Sequence, residues 1–416
     1  MPRLAAWRLC QAVLDKTLPL DEALAAEPRL PHLEARDRAF ARTLVMSVLR
    51  HLGEIDALIA ACLERPLPAS ARPARHLLRL GVAQLLFLDV PDHAVVDTAV
   101  TLARHPRSGA TAHAKLINAV LRRLAREGRD RLTGLDGPGL NTPPWLMADW
   151  RDRFGADSAT AIAAANATEP ALDITLRDPS ETAAWAERLG ADVLPAGSLR
   201  LASGGGRIED LPGYTEGAWW VQDAAAALPV RLLGDIRDLD VVDLCAAPGG
   251  KTLQLAGGGA KVTAVDRSAK RLERLHQNLK RCRMKARVET ADAADWRPEQ
   301  PVDLVLLDAP CSATGTLRRH PEIAHHRGPA DVDKLAKLQS RLIQSALAML
   351  KPGGRLLFCT CSLQQAEGPD HLTAFQDRRE PLTPPDGWPG NWFNEGALTT
   401  RPDQGLDGFF AALFRA

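Results

Sequence analysis

The sequence predicts a multidomain protein. It has an all-α N-terminal bundle, a small α+β module, and a C-terminal α/β domain with a mostly parallel sheet. Apolar residues recur at three- and four-residue spacing through residues 1–130. Short β-branched runs and glycine turns occupy residues 172–230. Beyond about residue 235, strand and helix patterns alternate, which requires a parallel sheet covered on both faces. At 416 residues the chain is too long for one ordinary core. The divisions expected are 1–135, 136–235 and 236–416.

In the bundle, Leu4, Trp7, Val13 and Leu14 share one helical face, and Leu44, Val45, Val48 and Leu49 share another. The strongly apolar run from Leu77 through Leu80 and Val82 to Leu85–Leu88 predicts a buried central helix. Two more helices are expected at Asp92–Leu102 and Lys115–Arg126, the last with Arg122, Arg123 and Arg126 on its polar side. Pro66, Pro68, Pro73 and Pro91 punctuate them. The glycines and prolines of Arg129–Pro144 predict a linker. A helix with Trp145, Leu146, Trp150 and Phe154 should follow, and then a module whose turns include Gly204-Gly-Gly206. In the last domain the expected strands are Asp240–Leu244, Lys261–Asp266, Ala286–Glu289, Val302–Asp308 and Arg355–Thr360. Phe409–Phe414 closes the sheet. Ser268–Arg281 and Asp331–Leu350 are helices, the first with Leu272, Leu275 and Leu279 on one face.

Composition excludes several classes. Hydrophobic content of 45% and charged content of 25% suit a globular protein, and no apolar stretch is long enough to span a membrane, so a cytoplasmic, non-membrane protein is expected. Seven cysteines, odd in number and without a Cys-x-x-Cys pair, favour neither a disulfide framework nor structural zinc, and no metal site is expected. Cys10, Cys62 and Cys282 sit in helical settings as packing thiols. The net charge of +1 conceals an asymmetry. Residues 1–135 carry 20 basic against 14 acidic side chains, and the remainder 32 against 37. A basic N-terminal part suits a polyanionic partner as well as a solvated surface.

The stretch on which function turns is Val241–Thr252, a buried strand that enters a glycine turn at Pro248-Gly249-Gly250 and then a helix at Lys251. Glycines admit a ligand against the backbone, and the helix start offers N–H donors. A phosphate loop would need glycine where Cys245 stands, and Pro248 removes a donor. No Gly-x-Gly-x-x-Gly follows any strand. An adenosine bearing a sulfonium fits better. Asp266 ends the second strand where a carboxylate can take ribose hydroxyls, although Asp there also caps a helix. Asp292 follows the third strand, beside an adenine edge or as a plain loop carboxylate.

Cys311 follows the fourth strand in Asp308-Ala-Pro-Cys, and Cys361 the fifth in Thr360-Cys-Ser. Two such thiols at adjacent carboxyl ends are either packing cysteines or the centre of an active site. Methylating C5 of a pyrimidine needs a thiol, because C5 becomes nucleophilic only after addition at C6, and a base must later remove the C5 proton.

The segments Asp243–Thr252, Asp308–Gly315, Arg319-His-Pro-Glu322 and Thr360–Ser362 together resemble the RNA cytosine-5 methyltransferases (NOL1/NOP2/Sun). Arg36–Ala41 and Asn118–Arg123 are similar to the NusB-like RNA-binding domain fused to the RsmB (Fmu/Sun) branch, which acts on 16S rRNA. The resemblance implies a NusB-like bundle, an RRM-like module and a Rossmann-like methyltransferase domain. It implies S-adenosylmethionine as cofactor, held by Cys245, Ala246, Ala247, Pro248, Gly249, Gly250, Lys251, Asp266, Asp292 and Asp308. Cys361 would be the nucleophile, Cys311 would assist proton removal or release, and Asp308 would hold the cytosine. The partner implied is RNA, 16S rRNA above tRNA, and a monomer is expected. The contrasting expectation is an RNA-binding factor whose methyltransferase half is only a scaffold. The sequence departs from the family at Cys359, ranked as packing, where a small residue is usual. It departs again at Ala324-His325-His326, which are expected to be surface residues.

Overall fold

The computed structural model describes residues 2–202 and 207–416, so the expected turn at Gly204–Gly206 lies outside the described residues. The chain divides into two compact units, Met1–Thr168 with Leu317–His326, and Glu169–Thr316 with Arg327–Ala416.

The first unit is helical: α1 (Pro2–Lys16), α2 (Leu20–Ala26), α3 (Ala35–Arg50), α4 (Leu52–Ala60), α5 (Arg72–Leu86), α6 (Asp92–Arg104) and α7 (Ala114–Thr133). Helix α5 is the predicted central one. It packs against α1, α3, α4, α6 and α7, and Leu77, Leu78, Leu80, Val82 and Leu85 are buried. Segment 129–144 is not the expected linker. Helix α7 runs on to Thr133 and α8 (Gly137–Asn141) follows. The Asn141 amide donates to Glu54 Oε2 at 2.7 Å, and the Glu54 N–H donates to Asn141 Oδ1 at 3.1 Å. Glycine and proline serve here as helix starts and close approaches, not as flexibility. Helices α9 (Pro144–Phe154) and α10 (Ala156–Asn166) complete the run, with Trp150 fully buried.

Leu317–His326 belongs to this unit although it lies far along the chain. His325 Nε2 meets Leu49 O at 3.1 Å and His326 Nε2 meets Val13 O at 2.8 Å. Arg50 donates to Arg318 O at 2.9 Å. The two histidines are therefore half-buried partners of carbonyls near the ends of α3 and α1. This corrects their expected place on the surface. Burial pushes the His325 pKa down, so its ring is neutral near pH 7 and donates one N–H.

The second unit opens with a four-stranded antiparallel sheet of β1 (Leu172–Leu176), β2 (Ala191–Val193), β3 (Leu199–Leu201) and β4 (Trp219–Val221), in the order β2-β3-β1-β4. That is the order of a split β-α-β module, with α11 (Thr182–Leu189) between the first two strands. Asp173 on β1 is fully buried. It takes both arms of Arg200 at 2.7 and 2.8 Å and the N–H of Ala224, which starts α12 (Ala224–Arg231).

The large sheet contains β5 (Asp240–Leu244), β6 (Lys261–Asp266), β7 (Arg287–Thr290), β8 (Val302–Asp308), β9 (Leu350–Thr360), β10 (Arg379–Glu380), β11 (Phe393–Asn394), β12 (Ala397–Thr400) and β13 (Phe409–Arg415). Its order is β11-β12-β13-β9-β8-β5-β6-β7, with β10 on the edge of β13. Strands β5 to β9 are parallel, and β13 inserts antiparallel beside β9. Helices α13 (Gly250–Gly257), α14 (Ala269–Arg281), α15 (Pro329–Leu347) and α16 (Pro369–Ala374) accompany these strands. The chain builds β5, β6 and β7 outward, then returns to the far side of β5 with β8. The β5/β8 boundary is therefore the topological switch point, the place where sheets of this kind bind ligands.

Candidate active site

Sheet register brings the predicted residues together. Leu244 pairs with Leu307, and Asp308 pairs with Cys359, so the ends of β5, β8 and β9 lie side by side. Cys311 and Cys361 follow two of these ends, and their Sγ atoms are 3.5 Å apart. Both residues are half-buried. The Cys311 pKa is pushed well up, first by its hydrogen bond with Cys361, then by burial and the nearby Glu367 carboxylate. Cys311 therefore stays a thiol near neutrality.

Lys251 extends from the start of α13 to Asp308, with Nζ 2.7 Å from Oδ2 and 4.8 Å from the centre of the Phe409 ring. Burial works against the cation, but the Asp308 carboxylate and the Cys359 and Cys361 sulfurs outweigh it and raise the pKa above the usual lysine value. Lys251 thus reaches the adjacent carboxylate across the strand boundary. Cys359 is fully buried, in keeping with packing. It also lies in the site, its Sγ 3.7 Å from Asp308 Oδ1. The same apolar cluster contains Cys359 and borders Cys361, as two residues on one strand face should.

At the glycine turn, Cys245 adopts φ +60° and Gly249 φ +104°. A Cβ on Gly249 would lie 2.9 Å from Leu275 Cγ, so only glycine fits against α14. Ala246 N–H donates to Val265 O, and Ala247 N–H to Asp266 Oδ2 at 3.2 Å. Asp266 is 2% exposed and also accepts from Ser268 N–H at 2.9 Å, while Ser268 itself caps α14. Arg271, a residue sequence reasoning passed over, donates to Ala247 O and stands 3.5 Å from Asp266. Asp292 is exposed and accepts from Ala294 N–H at 2.9 Å in its own turn. Pro248 and Gly250 complete the bend, and α13 begins at Gly250.

Asp243, near the end of β5, accepts from Thr252 Oγ1 at 2.6 Å, and its Oδ1 has no partner among the described residues. Burial and the Asp308 charge, opposed by the Thr252 bond, push its pKa up to about 7. The carboxyl ends of these strands therefore hold a buried carboxylate oxygen, the first-turn N–H groups of a helix, and two further carboxylates at successive strand ends. That donor and acceptor set fits a nucleoside with a charged tail.

A family model described as 16S rRNA methyltransferase RsmB/F matches residues 232–415, and one described as the NusB family matches residues 1–126. The ribosomal RNA small subunit methyltransferase B of Xanthomonas campestris pv. campestris is 36% identical, over 99% of this chain and 96% of that one. The protein of the same description from Pseudomonas putida is 36% identical over 91% of this chain and 89% of its own length. The crystal structure of PH0851 superposes with a TM-score of 0.74 at 23% identity, over all of this chain and 99% of that one, a likeness of fold. Matches of this extent settle the family: the chain belongs to the ribosomal RNA small subunit methyltransferase B family.

Proposed function

We propose that the protein transfers a methyl group from S-adenosylmethionine to C5 of a cytosine in 16S rRNA, acting as a monomer through Cys361. The observation that carries this reading is the pair of thiols 3.5 Å apart beside the Lys251–Asp308 pair, at the switch point of the sheet. S-adenosylmethionine supplies an electrophilic methyl group. The turn Cys245–Lys251 would hold its tail, Asp266 its ribose hydroxyls and Asp292 its adenine edge. The Cys361 thiolate would add to C6 of the ring, and the electron pair displaced to C5 would take the methyl group, with S-adenosylhomocysteine as the leaving group. Loss of the C5 proton then restores the double bond and expels the thiolate. Cys311, held as a thiol beside the leaving sulfur, gives its proton to that sulfur, and the Cys311 thiolate so formed takes the C5 proton. Asp308, fixed by Lys251, accepts from the cytosine amine.

Residues 136–168 group with the helices of the first unit and not with the small module, so the tasks fall to the helical segment, the small module that starts at Glu169, and the sheet domain after about residue 235. The basic first segment grips phosphate, the small module guides the strand, and the last carries the chemistry. Tritium release from rRNA labelled at cytosine C5 tests the reading. Wild type should release tritium, and Cys361→Ala should lose at least ~1000-fold. Release at the wild-type rate from Cys361→Ala would move the nucleophile elsewhere. Calorimetry with S-adenosylmethionine separates an enzyme from a scaffold, which would bind none.

A further inference from the structure

Glu367 lies six residues past Cys361 and is fully buried. Its carboxylate takes bonds from the residues that directly follow both thiols. Oε1 accepts from Ser312 N–H at 2.8 Å, and Oε2 accepts from Ser362 Oγ at 2.6 Å and from Ser312 Oγ. Gln339 on α15 donates to Oε1 at 3.2 Å, and its Nε2 also donates to Pro310 O at 2.8 Å, one residue before Cys311. Because that amide nitrogen faces two acceptors, Gln339 Oε1 must accept from His371 Nε2 at 3.0 Å. The Glu367 carbonyl in turn accepts from Thr360 Oγ1 at 3.1 Å. One carboxylate is thus bonded across the ends of β8 and β9, with every acceptor direction occupied inside the core.

We propose that Glu367 is the positioning residue of the two-thiol site, its carboxylate clamping Cys311-Ser312 to Cys361-Ser362 and so fixing the separation of the sulfurs. The proposal deepens the methyltransferase reading and rests on it for what the thiols do. It stands on geometry that would remain without it. Nothing in the sequence marks this residue, because a glutamate in Gln364-Gln-Ala-Glu367 looks like a solvated loop. A buried carboxylate carries a large desolvation cost, offset here by the donors it gathers. The Ser312 and Ser362 hydroxyls are themselves only 3.2 Å apart, so removing the carboxylate leaves them bonded to each other and lets the two strand ends shift.

The test compares Glu367→Gln and Glu367→Ala with wild type in the full chain, using two readouts. The first is steady-state methylation of 16S rRNA. The second needs no RNA: bridging of Cys311 to Cys361 by phenylarsine oxide, followed by mass spectrometry of the linked peptides. Glu367→Gln keeps the shape but places an amide where two hydroxyls and an N–H donate. It should lower kcat ~10–100-fold with KM within about threefold, and slow bridging ~10-fold, as expected when reacting groups are displaced by a fraction of an ångström. A folded Glu367→Gln with kcat and bridging within twofold of wild type overturns the proposal, and so does a lost stability with both rates intact. If Glu367→Ala fails to fold, Ser362→Ala carries the second comparison, with a smaller slowing expected. Slowed bridging in the variants, beside a wild type that methylates no RNA, would uphold the clamp and sink the methyltransferase reading.

Discussion

Asp243 sits fully buried near the end of β5 with one oxygen on Thr252 and the other without a partner among the described residues, and burial pushes its pKa up to about 7. Its folded pKa lies above its unfolded value, so between about pH 4 and pH 7 the folded state binds the extra proton. Stability contributed by the neutral acid is present below that window and lost as pH rises through it. His371 has the opposite slope, since burial pushes its pKa down to about 4 and stability falls as pH drops from about 6.5 towards that value. Unfolding of Asp243→Asn, measured by urea at pH 5 and pH 8, should therefore gain on wild type by ~2–4 kcal/mol at the higher pH relative to the lower. The His371 slope cancels in that difference. An unchanged difference between the two pH values would show that Asp243 ionises normally. At this scale Asp308, Cys311 and Cys361 were legible as candidates, because each stands at a turn that ends an apolar run, and the sheet register sets them side by side. The sequence did not disclose Glu367, Arg271 or Phe409. Each has at least one partner far away in sequence, 55 residues for Ser312 and Glu367, 24 for Ala247 and Arg271 and 158 for Lys251 and Phe409, which no local pattern encodes.

Strands were legible because a parallel sheet buried on both faces demands near-continuous apolar runs, as in Leu304–Leu307, or in Val241–Leu244 broken only by Asp243. The misread element is 129–144, where proline and glycine stand at helix starts and beside Glu54 instead of in a flexible connection. The turn between β5 and α13 makes a sharp demand at Gly249. A methyl group there would strain a left-handed φ and press on Leu275 of α14. Gly249→Ala should destabilise the protein by ~2 kcal/mol and weaken S-adenosylmethionine binding at least tenfold by calorimetry. Wild-type affinity in a folded Gly249→Ala would mean that the turn is no part of the cofactor site.

For the whole molecule, the charge asymmetry read from composition gains a physical carrier in α7, where Arg122 and Arg126 lie on the polar side of a helix whose inner face, Ile117, Leu121 and Leu124, is buried. Binding of a 16S rRNA fragment should weaken as salt rises. Arg122→Ala with Arg126→Ala should reduce the slope of log K against log salt by ~1–2, about one per lost phosphate contact. An unaltered slope would place the RNA elsewhere. What the sequence could not show is that Leu317–His326 belongs with the helices of the first unit, since its bonds to Val13, Leu20 and Leu49 bridge roughly three hundred residues. The central claim concerns one sulfur, and a trapping experiment tests it most directly. Cys311→Ser incubated with S-adenosylmethionine and 16S rRNA, then digested with nuclease and protease, should yield a peptide bearing a methylated cytidine on Cys361. A nucleotide on Cys359, or no adduct in a variant that binds both substrates, would contradict the account.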